Sequence, residues 1–249
     1  MNIRKIGVIT NFRTGSTSFT LQKADHYGVH YGAELFSQEK ANGVGRIPDR
    51  SVLQKGYKIA AYEILDLIQS HANLIEEINR PEVDVCFKVM PSQVTREELV
   101  KIANSCDKLY YLYRRDFRAT VKSWIARRTL GDFNKTGFIT ESRRFTPEYV
   151  REVHLGHLGK GEKVIERVDL DDPRLHGQFG TVTAENLMHQ IRLNYERMAD
   201  VYKEVPGELV CYEDYFSGDN YNPYNVETHW SAEPDIMEFD VESLFTIDK

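Results

Sequence analysis

The sequence predicts an α/β fold: a three-layer sandwich with a central, mostly parallel sheet flanked by helices. Three observations lead there. Short apolar runs with strand character (Lys5–Thr10, Val83–Val89, Leu109–Tyr113) alternate with segments of helical spacing, as parallel sheets require. The loops after Thr10 and after Tyr113 both fall at the carboxyl ends of these runs, where such sheets hold their ligands. The length of 249 residues, with 41% hydrophobic and 28% charged side chains, suits one sizeable domain.

The elements follow in order. Lys5 to Thr10 reads as a buried strand, Asn11 to Gly15 as a tight loop, and Ser16 to Tyr27 as a helix with Gly28 as its stop. The polar, glycine-containing stretch from Val29 to Asp49 reads as loop. Ser51 to Asn79 carries apolar residues at helical spacing (Ile59, Tyr62, Leu65, Ile68, Leu74, Ile78), and Pro81 closes it. Val83 to Val89 alternates apolar residues with Asp84, Cys86 and Lys88, which predicts a strand. Thr95-Arg-Glu-Glu98 matches a capping box and opens a short helix. The strand ending at Tyr113 leads into a helix from Asp116, which caps it, to about Arg128. Residues 131–181 are less regular, with a helix start at Thr146-Pro-Glu148 and a turn at Asp171-Asp-Pro173. Thr183 to Glu204 is a long amphipathic helix, and Leu209 to Tyr215 reads as a late strand with an acidic end. Residues 1–216 thus form the expected domain. Residues 217–249 form an irregular tail, expected to pack on it or on a partner chain, a homodimer included.

Composition limits the partners. A net charge of −6 argues against nucleic acid, and no apolar run approaches the roughly 20 residues of a membrane span. Met1-Asn-Ile-Arg-Lys5 leads straight into a strand, which speaks against a signal peptide and for the cytoplasm. Cys86, Cys106 and Cys211 are scattered, so reduced thiols are expected and a metal site is not. An anionic ligand would need local positive charge, such as the cluster from Arg114 to Arg128.

The loop after the first strand has the chemistry for such a ligand. A helix N-terminus presents unpaired N–H groups and the positive end of its dipole. Gly15 lets a ligand approach the backbone, Ser16 and Thr17 add hydroxyls, and Arg13 adds a fixed charge. A Walker A lysine is missing from this P-loop-like arrangement.

Phe12-Arg13-Thr14-Gly15-Ser16-Thr17 resembles the 5′-phosphosulfate loop of sulfotransferases that use 3′-phosphoadenosine 5′-phosphosulfate (PAPS), with Phe12 where the family has proline. Arg115 and Ser123, eight residues apart, are similar to the arginine and serine with which that family holds the 3′-phosphate. Tyr212-Glu213-Asp214 resembles the family's late strand end, and its acids read as structural. The resemblance leans towards the bacterial trehalose sulfotransferase branch and spans roughly residues 5 to 215. It implies PAPS as sulfuryl donor without a metal, and Arg13, Thr14, Gly15, Ser16, Thr17, Arg115 and Ser123 as the residues that bind it. It also implies Glu34, within Gly28-Val-His-Tyr-Gly-Ala-Glu-Leu-Phe36, as the base that deprotonates a small-molecule or carbohydrate hydroxyl. His30 is the substitute base, because its ordinary pKa suits neutral pH. Residues 131–181 would then be an acceptor-side insertion. The family's late Gly-x-x-Gly loop is not evident, since Gly156-His-Leu-Gly159-Lys-Gly161 precedes the late strand. A P-loop-type small-molecule kinase and a nucleotide-binding relative without activity are the alternatives.

Overall fold

Helix α1 (Ser16–Tyr27) follows strand β1 (Lys5–Thr10) after a five-residue loop, as the sequence predicts. A computed structural model of the chain describes residues 3–36, 75–76, 78–79, 83–124, 164–169, 184–217, 224–229 and 235–246. The helix ends where Gly28 adopts a left-handed conformation (φ 65°) and its N–H bonds back into the last turn, a geometry that glycine reaches without strain. Next come β2 (His30–Ala33), β3 (Val85–Val89), a 3₁₀ turn at Pro91–Gln93, α2 (Arg96–Asn104) and β4 (Lys108–Tyr113). Thr95 and Glu98 cap α2 reciprocally, hydroxyl to N–H and carboxylate to N–H. Residues 117–124 are helical (α3). After β5 (Val164–Asp169) come α4 (Ala184–Glu204), β6 (Glu208–Cys211), a single turn α5 (Tyr212–Tyr215), β7 (Tyr224–His229) and a 3₁₀ turn at Glu242–Phe245.

Five strands make one all-parallel sheet in the order β2-β3-β1-β4-β6, and helices flank it to form a three-layer α/β sandwich. Strands β5 and β7 pair in parallel as a second, two-stranded sheet. Because side chains alternate along a strand, each central strand feeds two cores. Ile6, Val8, Cys86, Tyr110 and Leu112 face α1, with Phe19 and Ala24. Ile9, Val85, Phe87, Val89, Leu109 and Tyr111 face the other way, towards α2, α3 and α4. Chain leaving β1 runs to the β2–β3 side, and chain leaving β4 runs to β6. The crevice between the ends of β1 and β4 is therefore where connections diverge and ligands can enter.

Several expectations change. Residues 30–33 form an edge strand within the stretch read as loop. Their four residues, Gly32 among them, carry no alternating pattern, and pairing with Val85 to Phe87 creates the strand. The polar positions of β3 are not exposed, because both faces of this strand are covered: Cys86 and Lys88 lie under α1. Tyr212–Tyr215 turns into a helix instead of continuing β6. Ile236, Val241 and Phe245 are buried in the larger core, with the Phe245 ring 5.3 Å from that of Tyr113. All three cysteines are free, and burial raises the thiol pKa of Cys86 and, to about 12, that of Cys106. Among the described residues no helix is long and apolar enough to cross a membrane. The helix expected over Ser51–Asn79, apart from its last residues, and the stretch 131–181, apart from 164–169, lie outside the described residues, as does Gly156–Gly161.

Candidate functional site: an anion cradle beside a lysine–glutamate pair

The loop after β1 is held from behind. Asn11 Nδ2 donates to the Ile191 carbonyl at 2.7 Å, and its Oδ1 accepts from the Phe12 N–H at 2.8 Å and from Asn194 Nδ2 at 3.2 Å. The Thr14 hydroxyl is fully buried, donates to the Asn11 carbonyl and shares a hydrogen bond with Thr10. Thr14 therefore shapes the loop with its side chain. Arg13 is the one non-glycine residue with positive φ (57°) among those described, a conformation that costs about 1–2 kcal/mol. Its Nε donates to Ser123 Oγ at 2.9 Å. Two positions singled out separately in the sequence thus meet in space.

Gly15 is the N-cap of α1 at φ 68°, and it supplies no side-chain cap to the first turn. A Cβ there would lie 2.6 Å from the Tyr212 ring and 2.9 Å from that of Phe216, so only glycine fits between loop and α5. No acidic residue stands in the first turn of α1. The helix start keeps its positive character for an external anion.

Lys88 completes the cradle, and sequence reasoning missed it. Its side chain is 92% buried, and Nζ lies 2.8 Å from Thr17 Oγ1, 3.4 Å from Ser16 Oγ and 2.9 Å from Glu34 Oε1. A usable signal was present: Lys88 shares strand parity with Cys86, on the face that α1 covers. Glu34, at the end of β2, also accepts from Gln93 Nε2 at 3.3 Å through Oε2, and 34% of its side chain remains exposed. The candidate base therefore stands at the rim of the cradle. His30 lies in β2 by its backbone.

The loop after β4 closes the other side. Tyr195 of α4 is fully buried; its hydroxyl accepts from the Arg114 N–H at 3.2 Å and donates to the Arg114 carbonyl at 3.3 Å. Arg114 Nη1 donates to the Arg13 carbonyl at 3.4 Å, and the guanidinium stands over the Tyr212 ring at 4.7 Å. Arg114 Nε is buried without a hydrogen-bond partner, 3.6 Å from Glu213 Oε1 in an ion pair. Arg115 points elsewhere: Nη2 is 2.9 Å from Asp214 Oδ2 and Nε 3.1 Å from Glu242 Oε2, and the side chain is half exposed. The contacts of Arg114 therefore reach the cradle, and those of Arg115 reach α5 and the C-terminal segment. Glu213 ties these parts together by accepting the N–H groups of Arg115 and Asp116. Burial works against the charged form of Glu213, but those two N–H groups and the Cys211 thiol outweigh it, holding the carboxyl below its ordinary range. Asp116 caps α3 through the Ala119 N–H at 2.7 Å.

The site thus gathers a bare helix start, Arg13, Arg114 with an unused buried donor, Lys88, and a partly open carboxylate. It can hold a phosphate-like anion and offer a base beside it. Among the described residues no group of three His, Cys, Asp or Glu side chains could hold a metal ion. No known protein family, curated protein or solved structure matches the chain.

Proposed function

We propose that the protein is a PAPS-dependent sulfotransferase that modifies a hydroxyl of a small-molecule or carbohydrate acceptor, in the cytoplasm. The observation that carries this reading is the hydrogen bond from Arg13 to Ser123, because it joins the two anion motifs at the divergence between β1 and β4. The Nε of Arg114, buried without a hydrogen bond and held only by a 3.6 Å ion pair to Glu213, supports the fit of an anionic donor, as a buried donor of this kind is costly to leave without one.

PAPS, when bound, supplies an activated sulfuryl group and a good leaving group. Arg13, Lys88 and the N–H groups of Gly15, Ser16 and Thr17 would hold its 5′ end and stabilise charge on the leaving oxygen. Ser123 and Arg115 would hold the 3′-phosphate. For that, Arg115 must exchange Asp214 and Glu242 for the phosphate, whereas Arg114 already stands beside the loop. Glu34 takes up the proton of the acceptor hydroxyl, with His30 as the substitute.

A P-loop-type small-molecule kinase is the second reading, and Lys88 favours it: a neighbouring strand supplies the ammonium that the loop's own sequence lacks. Thermal unfolding with adenosine 3′,5′-bisphosphate and with ATP–magnesium separates the two. The bisphosphate is expected to stabilise the fold by about 2.7 kcal/mol at a hundredfold excess over its dissociation constant. Greater stabilisation by ATP–magnesium would transfer the assignment to the kinase. An acceptor screen with labelled PAPS then separates an enzyme from a relative that only binds nucleotide.

A further inference from the structure

We propose that Gln93 is a positioning residue for the candidate base: its amide holds one oxygen of the Glu34 carboxylate while Lys88 holds the other, which fixes the carboxylate at the rim of the cradle. The inference rests on the sulfotransferase reading for the role of Glu34, and on the following contacts.

Glu34 follows a four-residue edge strand, and a third of its side chain is open, so its own element constrains it little. Gln93 is buried in the 3₁₀ turn after β3, and its Nε2 donates to Glu34 Oε2 at 3.3 Å. The orientation of that amide is set independently: Oε1 accepts from the Met90 N–H at 2.9 Å, which leaves the NH₂ end for the carboxylate. Lys88, in the strand before the turn, lies 2.9 Å from the other oxygen, Glu34 Oε1. Two buried side chains from one stretch of chain thus meet both oxygens of one carboxylate. Glu34 has a further interaction besides these, so Gln93 shares the task and does not carry it alone.

The turn is itself tied to the anion loop. Pro91 opens it with φ already restricted. Asn194 of α4, 2% exposed, donates to Ser92 Oγ at 3.4 Å and to Asn11 Oδ1 at 3.2 Å. One asparagine therefore spans the turn that holds the base and the loop that holds the anion. The separation of base and donor follows from this chain of contacts, from Glu34 through Gln93 and its turn to Asn194 and Asn11. Reaction geometry is steep in distance, and about 1 Å of misplacement can cost a hundredfold in rate. A residue that never meets the substrate can govern turnover in this way.

Transfer from labelled PAPS to the hydroxyl compound that the acceptor screen yields, with titration of adenosine 3′,5′-bisphosphate alongside, tests this. Gln93→Met removes the donor at similar volume, so kcat is expected to fall about tenfold. Acceptor KM and bisphosphate affinity should each change by less than about threefold, because Gln93 touches neither ligand. Gln93→Glu keeps an oxygen for the Met90 N–H, and with it the turn, but sets an anionic oxygen against Glu34; it should lose more than Gln93→Met. In a Glu34→Gln background, Gln93→Met should cost the residual transfer less than about threefold, since its effect passes through the base. An equal loss in both backgrounds would show that Gln93 acts through the fold, and would overturn the inference. Wild-type kcat in Gln93→Glu would overturn it too, leaving Gln93 only the capping of its turn. If Gln93→Met does not fold, Gln93→Glu takes its place in the Glu34→Gln background. An empty screen removes the functional reading and this inference with it, whereas an active wild type with unaffected Gln93 variants removes the inference alone.

Discussion

Arg13 Nε donates to Ser123 Oγ at 2.9 Å although 110 positions separate the two residues. The serine aims a guanidinium whose backbone is already held in an unfavourable left-handed conformation. Arg13→Ala is expected to lower sulfuryl transfer about a hundredfold or more, with little change in acceptor KM, since charge compensation matters most at the transition state. Arg13→Lys should retain part of the activity, and Ser123→Ala should lose less than Arg13→Ala. Steady-state kinetics on the three variants checks this, and wild-type turnover in Arg13→Ala would remove the residue from the mechanism.

Arg114 and Arg115 are adjacent, but they face different partners. Binding of adenosine 3′,5′-bisphosphate and of adenosine 5′-monophosphate, measured against Arg114→Ala and Arg115→Ala, assigns the 3′-phosphate. The arginine that holds it should cost the bisphosphate roughly tenfold to a hundredfold and leave the monophosphate nearly unaffected. If Arg115 serves only as a clamp between Asp214 and Glu242, its loss should lower stability and affect both ligands equally.

Gly15 carries two constraints at once. Gly15→Ala must accept positive φ and also push a methyl group against Tyr212, so unfolding free energy should fall by about 1–3 kcal/mol. Adding Tyr212→Ala should relieve only the clash, giving a favourable coupling of about 0.5–3 kcal/mol in a denaturation cycle. Zero coupling would mean that the strain is purely in the backbone.

Glu213 makes stability depend on pH. Its folded pKa lies below the unfolded value, so its stabilisation is present above about pH 4.3 and is lost as the pH falls through the folded pKa. Urea unfolding of wild type and Glu213→Gln should therefore differ most near pH 7 and converge as the pH falls through the folded pKa. A constant difference across that range would deny the carboxylate its role.

Much of the fold was legible where one local signal decides. Gly28 stops α1, Thr95 and Glu98 cap α2, and the apolar run of β4 is an interior strand in any α/β packing. β2 was not legible, because four residues around Gly32 become a strand only by pairing with β3. Within the site, Arg13, Gly15 and Glu34 could be named because each sits in a short local motif, although their partners in space are distant in sequence. For Lys88 the sequence offered only strand parity with Cys86; its place beside Ser16, 72 residues away in sequence, follows from the register that sets it next to Val8 of β1. The choice between Arg114 and Arg115 depends likewise on Tyr195 and on the C-terminal segment, which no motif around the arginines encodes.

Helix α4 holds both loops, through Asn194 and the Ile191 carbonyl on Asn11 and through Tyr195 on Arg114. During synthesis the glycine-centred loop leaves the ribosome first and its fasteners some 180 residues later. At about 5–20 residues per second, the nascent chain spends on the order of ten seconds or more with that loop unfastened. The candidate site is thus assembled only after α4 has left the ribosome, and a chain cut short before α4 would carry the motif but not the site.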